Sequence, residues 1–177
     1  MLQAFSSFAQ KHDRIAAVGS GLTFGFLGDV MAQSLSPPPV SDLPPRTTID
    51  LNRSLTVSGY VGTAALVFWH PFFSIMEARL GPARTPTKVL LTNLFALPLV
   101  DIPAFNLSVN SRLADFDTAK RRLAKNYGRL VVASWCIWVP VMCVVFRPAI
   151  STHLRLPIMY ACDMAWAATL SYIGAEE

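Results

Sequence analysis

Five long apolar stretches dominate the chain, at residues 15–35, 54–76, 89–109, 130–146 and 156–174. They run 21, 23, 21, 17 and 19 residues. A helix needs about 20 residues to cross the hydrocarbon core of a bilayer, with roughly 17 to 25 observed. A water-soluble domain seldom carries even one such run. The stretches do not alternate polar and apolar residues over about ten positions, so they do not read as strands of a membrane barrel. The first stretch holds four glycines and Asp29, and the last holds Asp163. Four spans plus one buried or re-entrant helix therefore competes with five. The expected fold is all-α: a membrane bundle of four to five transmembrane helices with short amphipathic helices at its edges.

Composition supports a bilayer as the solvent. Hydrophobic residues make up 53% and charged residues 15%, against about 25% charged in soluble domains. Mean hydropathy is +0.41. The net charge of +4 is scattered between apolar runs, with no basic stripe interleaved with aromatics, which argues against nucleic acid as a partner. The basic residues divide almost evenly between the two sets of connections, so charge gives no orientation. Cys136 and Cys143 share one apolar run and lie about 10 Å apart along a helix axis, too far to bridge.

All 177 residues read as one integral membrane domain. The link at 36–46 carries five prolines and is expected to be an extended loop. Gly81 and Pro82 should end the second helix. Residues 110–129 place Leu113, Phe116, Leu123 and Tyr127 on one helical face, with acids first and bases later. They are expected to form an amphipathic connector, lying on the membrane or solvated. Leu2, Phe5 and Phe8 recur at helical spacing and suggest a short interfacial helix. The segment around them has no basic region before its apolar residues, so it does not read as a signal peptide.

The informative residues are the polar ones inside these runs. Asp29 and Gln33 are four apart and share a helix face. Asp101 and Asp163 repeat the oddity in the third and last stretches, with His70 and Asn93 as further polar members. Intramembrane acids are costly and usually face a bundle interior or a wet cavity. Any one of them is explained by a basic partner or a helix cap near the interface. Three together favour a hydrated interior, lined by Asp29, Gln33, His70, Asp101 and Asp163. Prolines cluster nearby: Pro71 after Trp69, Pro98 and Pro103 around Asp101, and Pro140 after Trp138. Kinked helices around polar groups suit a pathway for small solutes, and equally an irregular bundle. Gly21, Gly25 and Gly28, with Gly59 and Gly62 in the second stretch, are expected to let helices pack closely. There is no G-x-S-x-G elbow and no H-E-x-x-H, and histidines and cysteines lack metal-ligand spacing. The chain reads as a non-enzyme without cofactor or metal.

These residues carry a resemblance. "GSGLTFGFLGDVMAQ", ending in Gly28, Asp29 and Gln33, resembles the first-helix signature of a known membrane family. It is named for the Mpv-seventeen mitochondrial inner-membrane protein and the twenty-two-kilodalton peroxisomal membrane protein. Gly59, Gly62, His70 and Gly81 match the family's second segment in order. Trp138, Pro140, Phe146, Pro148, Arg155 and Trp166 resemble its later pattern. Val139 separates Trp138 from Pro140, which are usually adjacent there. Residues 142–145 are apolar where a glutamine and an asparagine are common, and Ala167 replaces an asparagine. The resemblance implies a small multi-pass protein of the mitochondrial inner membrane, or alternatively of the peroxisomal membrane. It implies a channel for small solutes or ions, or a non-conducting scaffold. The expected partners are the lipid bilayer, small solutes and further copies of the chain as a homo-oligomer, because five helices barely enclose a pore.

Overall fold

Helix boundaries follow the punctuation of the sequence. The computed structural model describes residues 2–35, 49–113 and 115–175, and every regular element among them is helical. The proline-rich link at 36–46 lies outside the described residues. A short helix, α1 (Leu2–Lys11), leads through a bend at His12 into α2 (Asp13–Leu35). Asp50 caps α3 (Leu51–Ala64), its carboxylate accepting from the Arg53 N–H at 3.0 Å. One π-helical turn, Ala65–Trp69, joins α3 to α4 (His70–Leu80). Gly81 stops α4 at φ 65°, a conformation that suits glycine. Thr85 and Pro86 open α5 (Thr85–Leu91), which passes through a π-helical segment, Thr92–Asp101, into α6 (Ile102–Leu113). Asp115 then caps α7 (Phe116–Val145), and α8 (Thr152–Ala175) follows.

The connector expected at 110–129 is not a separate surface helix. Residues 116–129 are the first half of α7, continuous with its apolar half. Nothing between Phe116 and Val145 breaks the helix before Pro140, because Gly128 alone costs only about 1 kcal/mol.

The elements make five rods: α2, α3–α4, α5–α6, α7 and α8. Each touches the next, and α8 returns to α2, so the rods close a ring. Neighbours run antiparallel except α2 and α8. There Gly28 of α2 lies against Met164 and Ala167 of α8, and Asp13 near the start of α2 shares a cavity with His153 near the start of α8. A closed ring of five must contain one parallel pair, and it falls between the first and last rods. Among the described residues three segments are long and apolar enough to cross a membrane, by length and composition: Asp13–Leu35, Thr85–Val109 and Phe116–Val145. The outer faces carry large apolar side chains such as Leu55, Ile75, Leu99 and Val132. That dressing suits lipid and not water.

Small residues set the α2–α3 spacing. A Cβ on Gly21 would meet the Val61 carbonyl at 3.2 Å, and one on Gly25 would meet the Ser58 Cα at 3.2 Å. Gly62 faces the Leu22 side chain. Gly59 differs from its expected packing role: a Cβ there meets nothing within 4 Å, because this face of α3 turns away from α2.

Prolines and π geometry together explain how α5–α6 is fixed to α7. In a π segment each N–H reaches the carbonyl five residues back, as Ile102 does to Leu97. Pro98 and Pro103 have no N–H, so in this register Asn93 and Pro98 keep free carbonyls. Trp135 Nε1 donates to the Asn93 carbonyl and Tyr127 Oη to the Pro98 carbonyl, each at 2.8 Å. Both donors come from α7.

Candidate functional site

Asp101 ends the long π segment, and Trp69 ends the short one on the neighbouring rod. The wide turns bring them together. Trp69 Nε1 donates to Asp101 Oδ1 at 3.3 Å and Tyr60 Oη donates to the same oxygen at 3.2 Å. Asp101 Oδ2 receives no hydrogen bond from the described residues. Asp163, on α8, has no hydrogen-bond partner among the described residues, and its charge is felt at Asp101, Tyr60 and Tyr160. The two carboxylates thus lie within electrostatic range of each other. Tyr60, Trp69 and Tyr160 are the neutral groups around them.

Further donors in the core lack partners. The Tyr160 hydroxyl and the Trp138 indole N–H are buried without hydrogen bonds, as is the Asn93 Oδ1 acceptor. Native interiors leave few such groups, because each costs about 1–3 kcal/mol of lost solvation. Two acids within electrostatic range of an unmet Tyr160 hydroxyl have the chemistry to hold water or a polar solute.

His70 stands one residue beyond Trp69, at one end of the bundle. Its Nε2 lies 3.0 Å from Asp13 Oδ2. Together with Gln10, Ser74, Thr152 and His153, and the apolar Ala17, Phe73 and Leu156, they line a mixed cavity of about 180 Å³. His153 also meets Ser6 of α1 at 3.1 Å. Between this mouth and the acids stands an aromatic wall. Trp69 packs edge-on against Phe73, and Phe73 against Phe146, with ring centroids 5.7 and 5.2 Å apart.

Asp29 and Gln33 occupy the opposite end and form a clamp between α2 and α3. Asp29 Oδ1 accepts from Arg53 Nε at 3.0 Å, and Oδ2 accepts from Ser54 Oγ at 2.8 Å and from Gln33 Nε2 at 2.7 Å. Gln33 Oε1 accepts the Asp50 backbone N–H at 2.7 Å, and its amide donates to the Asp50 carbonyl. Both carboxylate oxygens of Asp29 and both ends of the Gln33 amide have partners, and the network holds the very residue that caps α3. The five polar residues singled out in the sequence therefore divide three ways: Asp101 with Asp163, His70 at a mouth, and Asp29 with Gln33 in the clamp.

One cluster was not legible as a site. Lys88 and Arg155 both donate to Glu77 Oε2 at 2.5 Å, and both cations lie over the Phe146 ring, 5.9 and 5.7 Å from its centroid. The Lys88 side chain is 0% exposed. Burial pushes the Glu77 carboxyl up, but the hydrogen bonds and charges of the two cations outweigh it and hold the group below its ordinary value. The sequence offered one signal: an acid at the end of one apolar stretch and bases opening two others, all on the same side of the bundle. Phe146 and Arg155, noted only as pattern residues, meet here. Of the others, Trp138 is buried in the core and Trp166 packs against it, while Pro140 lies within α7.

Residues 112–171 match the family model described as Mpv17 / PMP22 family. That segment covers α7, the turn after it and most of α8, and includes Trp138, Pro140, Phe146, Pro148, Arg155 and Trp166. No curated protein and no solved structure matched the chain.

Proposed function

We propose that this member of the Mpv17 / PMP22 family, which it joins through residues 112–171, is a conduit for small solutes across an organelle membrane. One observation carries the reading. Asp101 and Asp163 lie within electrostatic range of each other, with the unpartnered Tyr160 hydroxyl in the same range and no basic group among the described residues paired with either. Acids at bilayer depth without a cation are too costly to keep for packing alone. Water, and solutes travelling with it, would solvate them. The path would enter at the His70–Asp13 mouth, pass the aromatic wall and reach the acids. The wall closes the path in this conformation, so opening needs Trp69 to swing aside. Its place at the end of a π turn suits that movement, since single π turns often mark functional positions.

Five rods enclose a narrow interior, so any wide route would need several copies of the chain. The reading takes the mitochondrial inner membrane as the site, with the peroxisomal membrane as the alternative. Cell fractionation tests that assignment.

A non-conducting scaffold is the second reading, favoured by the fully satisfied Asp29 clamp. Planar-bilayer recording of purified protein separates the two. Discrete openings whose ion selectivity shifts in Asp101→Asn, but not in Asp29→Asn, are expected. Silent bilayers containing protein shown by circular dichroism to be helical would overturn the conduit and leave the scaffold.

A further inference from the structure

Asp101 is reachable from the lipid side of the ring. Between α3–α4 and α5–α6 a groove of about 240 Å³ opens on the outer face of the ring. Its rim holds Val67 and Val100, which are 70% and 42% exposed. Ala64, Phe68 and Ala104 form largely apolar walls, with the hydroxyl-bearing Thr63 and Ser108 also in the lining. Its inner end is polar: Asp101 and Tyr60, joined by their hydrogen bond. An apolar slot open to the bilayer therefore ends on a carboxylate that has one oxygen without a donor.

The charge around that carboxylate is one-sided. The side-chain donors to Asp101 are Tyr60 and Trp69, and the charge felt by Asp163 is that of Asp101. No lysine, arginine or histidine among the described residues joins them. A hydrated ion cannot approach through an apolar slot, whereas a hydrocarbon chain can. The volume corresponds to roughly eight water volumes at ~30 Å³ each, which suits a stretch of one alkyl chain. A charged head that compensates the acid must carry hydrogen-bond donors and a positive charge. A protonated primary amine has three donors and one charge in a compact head.

We infer that this groove and Asp101 form a lateral binding site for a single-chain amphiphilic amine. Such a ligand would slide in from the bilayer, tail along Val67 and Ala104, ammonium on Asp101 Oδ2. The inference rests on the reading of the acid pair as a solute site and names a solute class for it.

The test is equilibrium binding of radiolabelled dodecylamine to full-length protein in neutral phosphatidylcholine nanodiscs, with empty nanodiscs subtracted. Saturable binding is expected, weakened at least tenfold in Asp101→Asn. Dodecanol and dodecanoate should compete at least tenfold less well. Because Asp101→Asn could disturb folding, Val67→Trp gives a second check: it fills the slot from the lipid side and leaves Asp101 in place. It too should weaken binding at least tenfold, with circular dichroism unchanged. Binding no greater than to empty discs, equal binding to both variants, or preference for dodecanoate would each overturn the site. Solute flux recorded on the same preparation separates this result from the conduit. Flux without amine binding overturns the lateral site alone, and amine binding without flux overturns the conduit alone.

Discussion

The indole N–H of Trp135 donates to the backbone carbonyl of Asn93 at 2.8 Å, taking the place of the N–H that Pro98 lacks. A side chain on α7 thus completes the backbone of a neighbouring rod. Trp135→Phe keeps most of the ring and removes the donor. It should destabilise the protein by about 1–3 kcal/mol, the cost of an unpaired buried carbonyl. Pro98→Ala restores the helical N–H. In that background the same Trp135 substitution should cost less than half as much. A double-mutant cycle on thermal unfolding in detergent checks it; additive effects would show that the indole is not the carbonyl's substitute donor.

Asp29 should behave as a structural residue. Asp29→Ala removes the partner of Arg53, Ser54 and Gln33 at once. Breaking a buried pair costs about 3–5 kcal/mol. Arg53 is partly exposed, which brings the expectation down to about 1–3 kcal/mol. The unfolding midpoint should fall while solute selectivity stays unchanged. Altered selectivity at an unchanged midpoint would place Asp29 in the pathway after all.

Two glycines should answer alanine in opposite senses. A Cβ on Gly25 would press on the backbone of Ser58 and on Val61, both within 3.2 Å. Overpacking of this kind costs about 1–3 kcal/mol. Gly128, inside α7, has nothing within 4 Å of the same position, so Gly128→Ala should gain about 1 kcal/mol from helix propensity. Parallel unfolding curves of the two variants decide the matter. A destabilised Gly128→Ala would mean that the α7 surface is covered.

Glu77 gives the stability its acid limb. Its carboxyl is held below the ordinary value of 4.5, so the unfolded chain takes up the proton first as pH falls. The stability it contributes is complete above about pH 4.5 and drains away below it. The unfolding midpoint should therefore be insensitive to this group near neutrality and decline in the acid range. Glu77→Gln should lower the midpoint at neutral pH, leaving Lys88 and Arg155 buried without their carboxylate, and should flatten that acid decline. An acid decline of unchanged steepness in Glu77→Gln would assign it to other groups.

How much of this could be read beforehand depends on range. Apolar length announced the five rods, and the four-residue step between Asp29 and Gln33 placed them on one face. Helix periodicity is local, so it is written in neighbouring residues. Arg53 as the partner of Asp29 could not be read, because it lies 24 positions on and nothing local pairs them. The carbonyls freed by Pro98 and Pro103 were implicit in the prolines, but their donors, Trp135 and Tyr127, depend on how α7 packs. The same holds for Lys88 and Arg155, which meet on Glu77 only once three rods have been assembled. The boundary of α7 was misplaced because amphipathic and apolar halves look like two elements, although one capped helix can hold both.

The ring's parallel seam has a consequence for timing. As ribosomes deliver the chain to the membrane, α2 is made first and finds α3 soon after. Its other side, with Gly28, waits for α8, which is made last. At ~5–20 residues per second that wait is on the order of ten seconds. During it the nascent protein is an open arc, with Asp101 exposed to lipid or to whatever insertase shelters it. Closure is thus a single late event, and any factor that guards membrane proteins at birth would find its client in that interval.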